Sequence, residues 1–100
     1  FCHCSRCRKV SGSAHASNLF AHDARLIWLS GESEKKTYQV PDTRFTRCFC
    51  THCGSALPLF NAETGTVKVP AGSLDSDLAM EPTNRIFVAD RALWDKTSQS

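Results

Sequence analysis

The spacing of the cysteines constrains this chain more than any other feature. Cys2, Cys4 and Cys7 lie in the run Cys2-His3-Cys4-Ser5-Arg6-Cys7, three thiols within six residues. Far downstream, Cys50 and Cys53 frame Cys50-Thr51-His52-Cys53-Gly54. Six cysteines is an even number, so a disulfide framework has to be weighed. The Cys-x-Cys and Cys-x-x-Cys spacings suit a metal better, and nothing indicates an oxidising compartment. Zinc is the first expectation, since it takes thiolates at ~2.3 Å in a tetrahedron. Three thiols on one short loop can fill three corners, leaving the fourth to water, a substrate thiol or a distant residue. Three protein ligands and an open position is the form of a catalytic zinc. Three thiolates on the divalent ion leave one net negative charge, offset by Arg6, Arg8 and Lys9. The pair Cys50 and Cys53 suits a structural zinc. Cys48 could add a third ligand, because it shares a strand face with Cys50; alternatively the two clusters could build a single site.

At 100 residues the chain is expected to be one domain over 1–100. Such a chain buries roughly 60–70% of its unfolded surface, a modest core that a metal cross-link would help. Net charge is only +2, so bulk electrostatics calls for neither a membrane nor a nucleic-acid partner. The charge is uneven: residues 1–50 carry eight Lys and Arg against four Asp and Glu, and 51–100 carry four against six. The basic excess thus surrounds the thiol cluster, where a small anion would be welcome. No apolar run approaches a membrane span and no signal peptide precedes the cysteines, which reads as cytoplasmic. The abrupt start on the richest motif suggests that residues natural to the N-terminus precede Phe1.

Along the chain, Ser5 is a cap for a helical turn over Arg6–Val10, with Gly12 as its stop. Strands are expected over Ser17–Phe20, Glu34–Val40, Phe45–Phe49, Ala56–Phe60, Thr66–Val69 (Val67 and Val69 inward) and Arg85–Ala89. Period-two alternation puts Phe45, Arg47 and Phe49 on one face and Thr46, Cys48 and Cys50 on the other. Cys50–Gly54 reads as a knuckle at a strand end, and Ala92–Trp94 as an aromatic anchor before a polar tail. The expected class is all-β: short antiparallel strands with one short helical turn.

Other chemistry-bearing residues admit plainer readings. His3 and His52 sit inside the knuckles and read as exposed or hydrogen-bonded loop histidines rather than ligands. His15 and His22 read as surface or strand-edge residues, with His15 the candidate for lining a pocket. Trp28 and Trp94 read as core. Arg44 and Arg47 could reach an anion near the second knuckle, or lie on a solvated strand face. Asp75 and Asp77 read as loop residues.

The run from Cys2 through Ser13 resembles the hallmark of the glutathione-dependent formaldehyde-activating enzyme family, the S-(hydroxymethyl)glutathione synthases. So does Phe49-Cys50-Thr51-His52-Cys53-Gly54-Ser55, and the segments Val69–Asp75 and Ile86–Val88 with Trp94 resemble its C-terminal half. The resemblance implies a zinc-binding β-tent. It implies a catalytic zinc on Cys2, Cys4 and Cys7 and a structural zinc on Cys50 and Cys53. Members complete that second site with an N-terminal Cys-x-Cys-Gly strand, which this sequence lacks; the second site is therefore incomplete here and a sheet edge is left exposed. Cys48 lies outside the family pattern, and Arg85 stands where members often have histidine.

The activity implied is that of a carbon–sulfur lyase or synthase. Glutathione's thiol, activated in the open zinc position, adds to formaldehyde to give S-(hydroxymethyl)glutathione. Arg6, Arg8 and Lys9 would attract glutathione's carboxylates. The implied partner is a small thiol, with room for a homodimer. Two rivals belong to other classes. A non-catalytic zinc module for a protein or nucleic acid, as in centromere protein V of the same broad family, would need a broad basic stripe to grip nucleic acid. A redox role like that of methionine sulfoxide reductase would need a free cysteine away from the knuckles, and only Cys48 is available.

Overall fold

The computed structural model of this chain describes residues 1–76 and 84–96. They form two compact units, Asn18–Ser73 and Phe1–Ser17 with the described part of Leu74–Ser100. The first unit holds six strands: β1 (Asn18–His22), β2 (Lys35–Gln39), β3 (Thr46–Cys50), β4 (Ala56–Leu57), β5 (Leu59–Asn61) and β6 (Thr66–Pro70). They make two antiparallel sheets of three strands, ordered β1-β6-β5 and β2-β3-β4. With one α-helix, α1 (Ser5–Ser11) in the other unit, this is the expected all-β class of short antiparallel strands.

Register follows side-chain alternation. Val67 lies on the central strand of its sheet between Ala21 and Phe60, and is 4% exposed. Its neighbours Thr66 and Lys68 point the other way, and Lys68 Nζ donates to the Thr46 carbonyl at 3.2 Å. On the second sheet Cys48 is central, opposite Thr37 and Leu57, and 5% exposed. The Arg47 guanidinium lies 4.9 Å from the Phe49 ring centre on the opposite face, as the alternation requires. Strand β2 is an edge, and all five of its residues are exposed.

The expected strand Ala56–Phe60 is two strands. Pro58 has no N–H to donate to a ladder, so β4 ends before it in one sheet and β5 begins after it in the other. The expected partly exposed strand Glu34–Val40 is β2, preceded by a 3-10 turn at Glu32–Glu34.

In the second unit the ligand-bearing segment is pinned by backbone pairing. Cys2 bridges Ala16 antiparallel, with both N–H···O bonds at 2.9 Å. It also bridges Ile86 in parallel: the Ile86 N–H donates to the Phe1 carbonyl at 2.8 Å and the His3 N–H to the Ile86 carbonyl at 3.0 Å. The expected strand over Arg85–Ala89 reduces to this bridge. Phe87 takes a left-handed conformation (φ 56°), which no strand tolerates, and a 3-10 turn at Val88–Asp90 follows. The expected aromatic anchor at Ala92–Trp94 is also corrected. Trp94 is 70% exposed, and the buried residues there are Ala92 and Asp95. Among the described residues the buried apolar side chains are Cys48, Val67 and Ala92 alone, a small core for a chain of this length.

Candidate metal centre

Two local rules bring three thiols together. Cys4 is the N-cap of α1, in an extended conformation, and its Sγ accepts the Cys7 N–H at 3.4 Å. N-cap and third helical residue are neighbours in any capped helix, so Cys-x-x-Cys spacing sets Cys7 beside Cys4. The cap is therefore a ligand candidate itself, not Ser5 as expected, because the thiol takes the bond a serine hydroxyl would make. Gly12 ends the helix in the left-handed conformation, its N–H donating to the Arg8 carbonyl at 2.8 Å. Cys2 joins from the extended segment ahead: alternation turns Cys2 and Cys4 to one side and His3 to the other.

The Sγ atoms of Cys2, Cys4 and Cys7 all lie within 4.8 Å of one another, each half-buried. A tetrahedral zinc with ~2.3 Å bonds needs thiolates ~3.8 Å apart, so closure by at most about 1 Å completes three corners. Donor type, number and spacing fit the ion. The electrostatics of the cluster are split. Burial raises the Cys4 thiol, but the N–H groups of Cys7 and Arg6 and the thiols of Cys7 and Cys2 outweigh it, and the net direction is down. Cys7 is pushed well above the ordinary thiol range, first by burial and then by the thiols of Cys2 and Cys4. Cys4 gives up its proton more easily than Cys7 does, which is how crowded acids behave before a cation relieves them.

The basic residues around the cluster differ in placement. Arg6 and Lys9 are exposed on α1. Arg8 is half-buried and donates its Nε to the His3 carbonyl at 3.4 Å.

The second knuckle holds two donors. Cys50 is half-buried at the end of β3, and Cys53 is exposed in the following turn, which Gly54 closes with φ 78°. Cys53 Sγ lies 3.1 Å from Ser55 Oγ. The Ser55 hydroxyl, the Ser55 N–H and the Cys50 thiol hold the Cys53 thiol below its usual range, slightly opposed by desolvation. Among the described residues only Cys2, Cys4 and Cys7 form a group of three or more metal-type donors. Cys48 does not join Cys50 and Cys53. It is buried, and its sulfur does not gather with those of Cys50 and Cys53 into a group of three donors.

The histidines differ from the expectation. His3 is not exposed, and its ring has no hydrogen bond among the described residues; it is fully buried, and its Nδ1 lies 3.6 Å from Asp95 Oδ2. His15 stacks on Phe1, with ring centres 3.8 Å apart, meets His3 edge-on at 5.1 Å, and has Nδ1 3.2 Å from Ser17 Oγ. Burial, then the neighbouring His3, lowers its pKa. His22 Nδ1 lies 3.2 Å from Thr66 Oγ1 across β1 and β6, and His52 is exposed. Trp28 is half-buried with Lys35 Nζ 5.1 Å from its ring centre, beside a groove of about 360 Å³ whose walls include Arg25 and Phe60. Arg44 and Asp75 are exposed; Asp77 lies outside the described residues. Asp95 is the residue that sequence reasoning missed. It stands in what reads as a polar tail, and nothing in its neighbours signals burial.

Fold and site together define a small all-β protein carrying a three-thiol cluster suited to a metal ion. The family model for glutathione-dependent formaldehyde-activating enzymes matches residues 1–90, and the chain belongs to that family. Neither a curated protein nor a solved structure matches it. Membership carries a formaldehyde-activating, glutathione-related function. No helix among the described residues is long and apolar enough to cross a membrane.

Proposed function

We propose that this chain is a zinc-dependent carbon–sulfur lyase or synthase acting on S-(hydroxymethyl)glutathione or a related thiol adduct. The observation that carries the reading is the convergence of Cys2, Cys4 and Cys7, with their sulfurs within 4.8 Å of one another. Held by these three, zinc would supply a Lewis-acid position that makes a substrate thiol acidic near neutral pH. Arg6 and Lys9, three apart on α1, share a face and are exposed, so they can meet the carboxylates of glutathione, Arg6 in a two-point grip. Arg8 is the more constrained of the three, because its Nε is engaged by the His3 carbonyl; its part is to add positive charge near the thiolates. In the reaction these residues serve, a carbon–sulfur bond forms between glutathione and formaldehyde while the thiol proton passes to the carbonyl oxygen. The lyase direction reverses both changes. Cys50 and Cys53 would hold a second, structural ion only with further ligands.

The test is zinc content per chain measured together with the rate of glutathione–formaldehyde exchange above the protein-free rate. Cys2→Ser is expected to lose both the metal and the acceleration. A Cys2→Ser chain with full zinc and full activity would falsify the reading.

A further inference from the structure

We infer that Asp95, acting through the buried ring of His3, is a positioning residue for the Cys2, Cys4 and Cys7 thiols. The inference rests on the reading of that cluster as a metal centre. His3 is 0% exposed and Asp95 4%, the two buried polar residues among those described. Nδ1 of His3 and Oδ2 of Asp95 are 3.6 Å apart, within ion-pair range though longer than a hydrogen bond. Among the described residues neither ring nitrogen of His3 has a hydrogen-bond partner, and Asp95 is the carboxylate within ion-pair range of this imidazole. A buried polar ring costs free energy that leucine or phenylalanine would not. A fold that merely needed to fill this space would be better served by an apolar side chain.

The geometry says what the pair does. His3 stands between two of the three thiols, in an extended stretch where side chains alternate. Turning His3 inward turns Cys2 and Cys4 outward, on one side, together. Three other contacts of His3 work to the same end. Its N–H is bonded to Ile86 and its carbonyl to Arg8, and His15 closes against its ring. The carboxylate, 3.6 Å from Nδ1, adds an electrostatic hold on the ring. The Asp95 N–H donates to the Ala92 carbonyl at 3.0 Å, so the backbone that carries the carboxylate is held by a local turn. Partners bonded directly to metal ligands are worth roughly 10- to 100-fold in metal affinity, which bounds the effect expected of Asp95 acting through His3.

The test is Co²⁺ binding to the full chain, followed by its thiolate charge-transfer and d–d bands and by competition with a chelator. Asp95→Ala is expected to raise the Co²⁺ dissociation constant by up to roughly 10- to 100-fold and to shift the d–d bands. The isosteric Asp95→Asn is expected to weaken binding by less, and it carries the test if the alanine variant does not fold. Val67→Ala, in the other unit, is the control for lost stability and is expected to leave affinity and spectrum unchanged. Folded Asp95 variants with wild-type affinity and bands would overturn the inference, as would an equal loss in Val67→Ala. Those outcomes leave the metal reading intact. A wild-type chain that fails to take up Co²⁺ sinks both together.

Discussion

At the scale of single residues, thiols of one type are given different tasks by their surroundings. Cys7 is driven up by burial and by its two thiol neighbours, while Cys53, fully exposed, is drawn down by Ser55. The Cys53 case yields a prediction in the metal-free chain. Its thiol is held below the ordinary value, so at pH 7 a larger fraction is thiolate than in a free cysteine. Removing the hydroxyl with Ser55→Ala moves the thiol back towards its ordinary value and lowers that fraction. Iodoacetamide labelling of Cys53 at pH 7, followed by peptide mass spectrometry, is expected to slow in the variant. The slowing is smaller than the loss of thiolate, because nucleophilicity rises with pKa. Above the ordinary thiol range both forms are ionised, and the advantage of the native chain disappears. Equal rates at pH 7 would show that the Ser55 contact leaves the thiol untouched.

Among the elements, α1 matters most, because seven residues carry one cluster thiol and are capped by another. Its far end is set by Gly12 at φ 63°, and an added Cβ there would meet nothing within 4 Å. Gly12→Ala therefore adds strain without a clash, at about 1–2 kcal/mol. Thermal unfolding should show a midpoint lower by several degrees, with Gly12→Asn losing less because asparagine tolerates this conformation. An unchanged midpoint would mean that the helix end frays without consequence for the fold. The same helix shows what the sequence makes legible. The Cys4–Cys7 spacing is both a metal spacing and a cap-to-third-residue spacing, so local rules suffice to place those thiols. Alternation equally suffices for β3, where Cys48 goes in and Arg47 lies with Phe49. Where local rules fail, a long-range partner decides. Ile86 and Phe87 have strand-forming side chains, yet among the described residues Ile86 pairs at one bridge, and Phe87 adopts a left-handed turn. Pro58 could be read as a flaw in one strand; its consequence, a switch between sheets, depends on β3 and β6 as partners. His3 facing Asp95 joins residues 92 apart, and no period or motif encodes that.

For the whole molecule, the few apolar side chains buried among the described residues make ligand binding a large part of stability. The buried apolar residues described are an alanine, a valine and a cysteine, and two of the three lie in the strand unit. Among its described residues, the unit that carries the cluster buries Ala92 and the His3–Asp95 pair, which is little hydrophobic stabilisation. A metal bound only by the folded form adds RT ln(1 + [M]/Kd), about 2.7 kcal/mol at a free concentration of 100 Kd. For a domain of this size each kcal/mol is worth roughly 4–8 °C, so stripping the metal with a chelator should lower the midpoint by on the order of 10 °C or more. The loss has an expected location. Hydrogen exchange should accelerate at the amides of Cys2, His3, Ala16 and Ile86, whose bonds hold the ligand-bearing segment, and much less in the β1–β6 ladder. Zinc returned after chelation should restore both the midpoint and the protection, since no covalent bond has changed. A chelated chain with the same midpoint and the same exchange pattern would mean that these thiols converge for a reason other than metal.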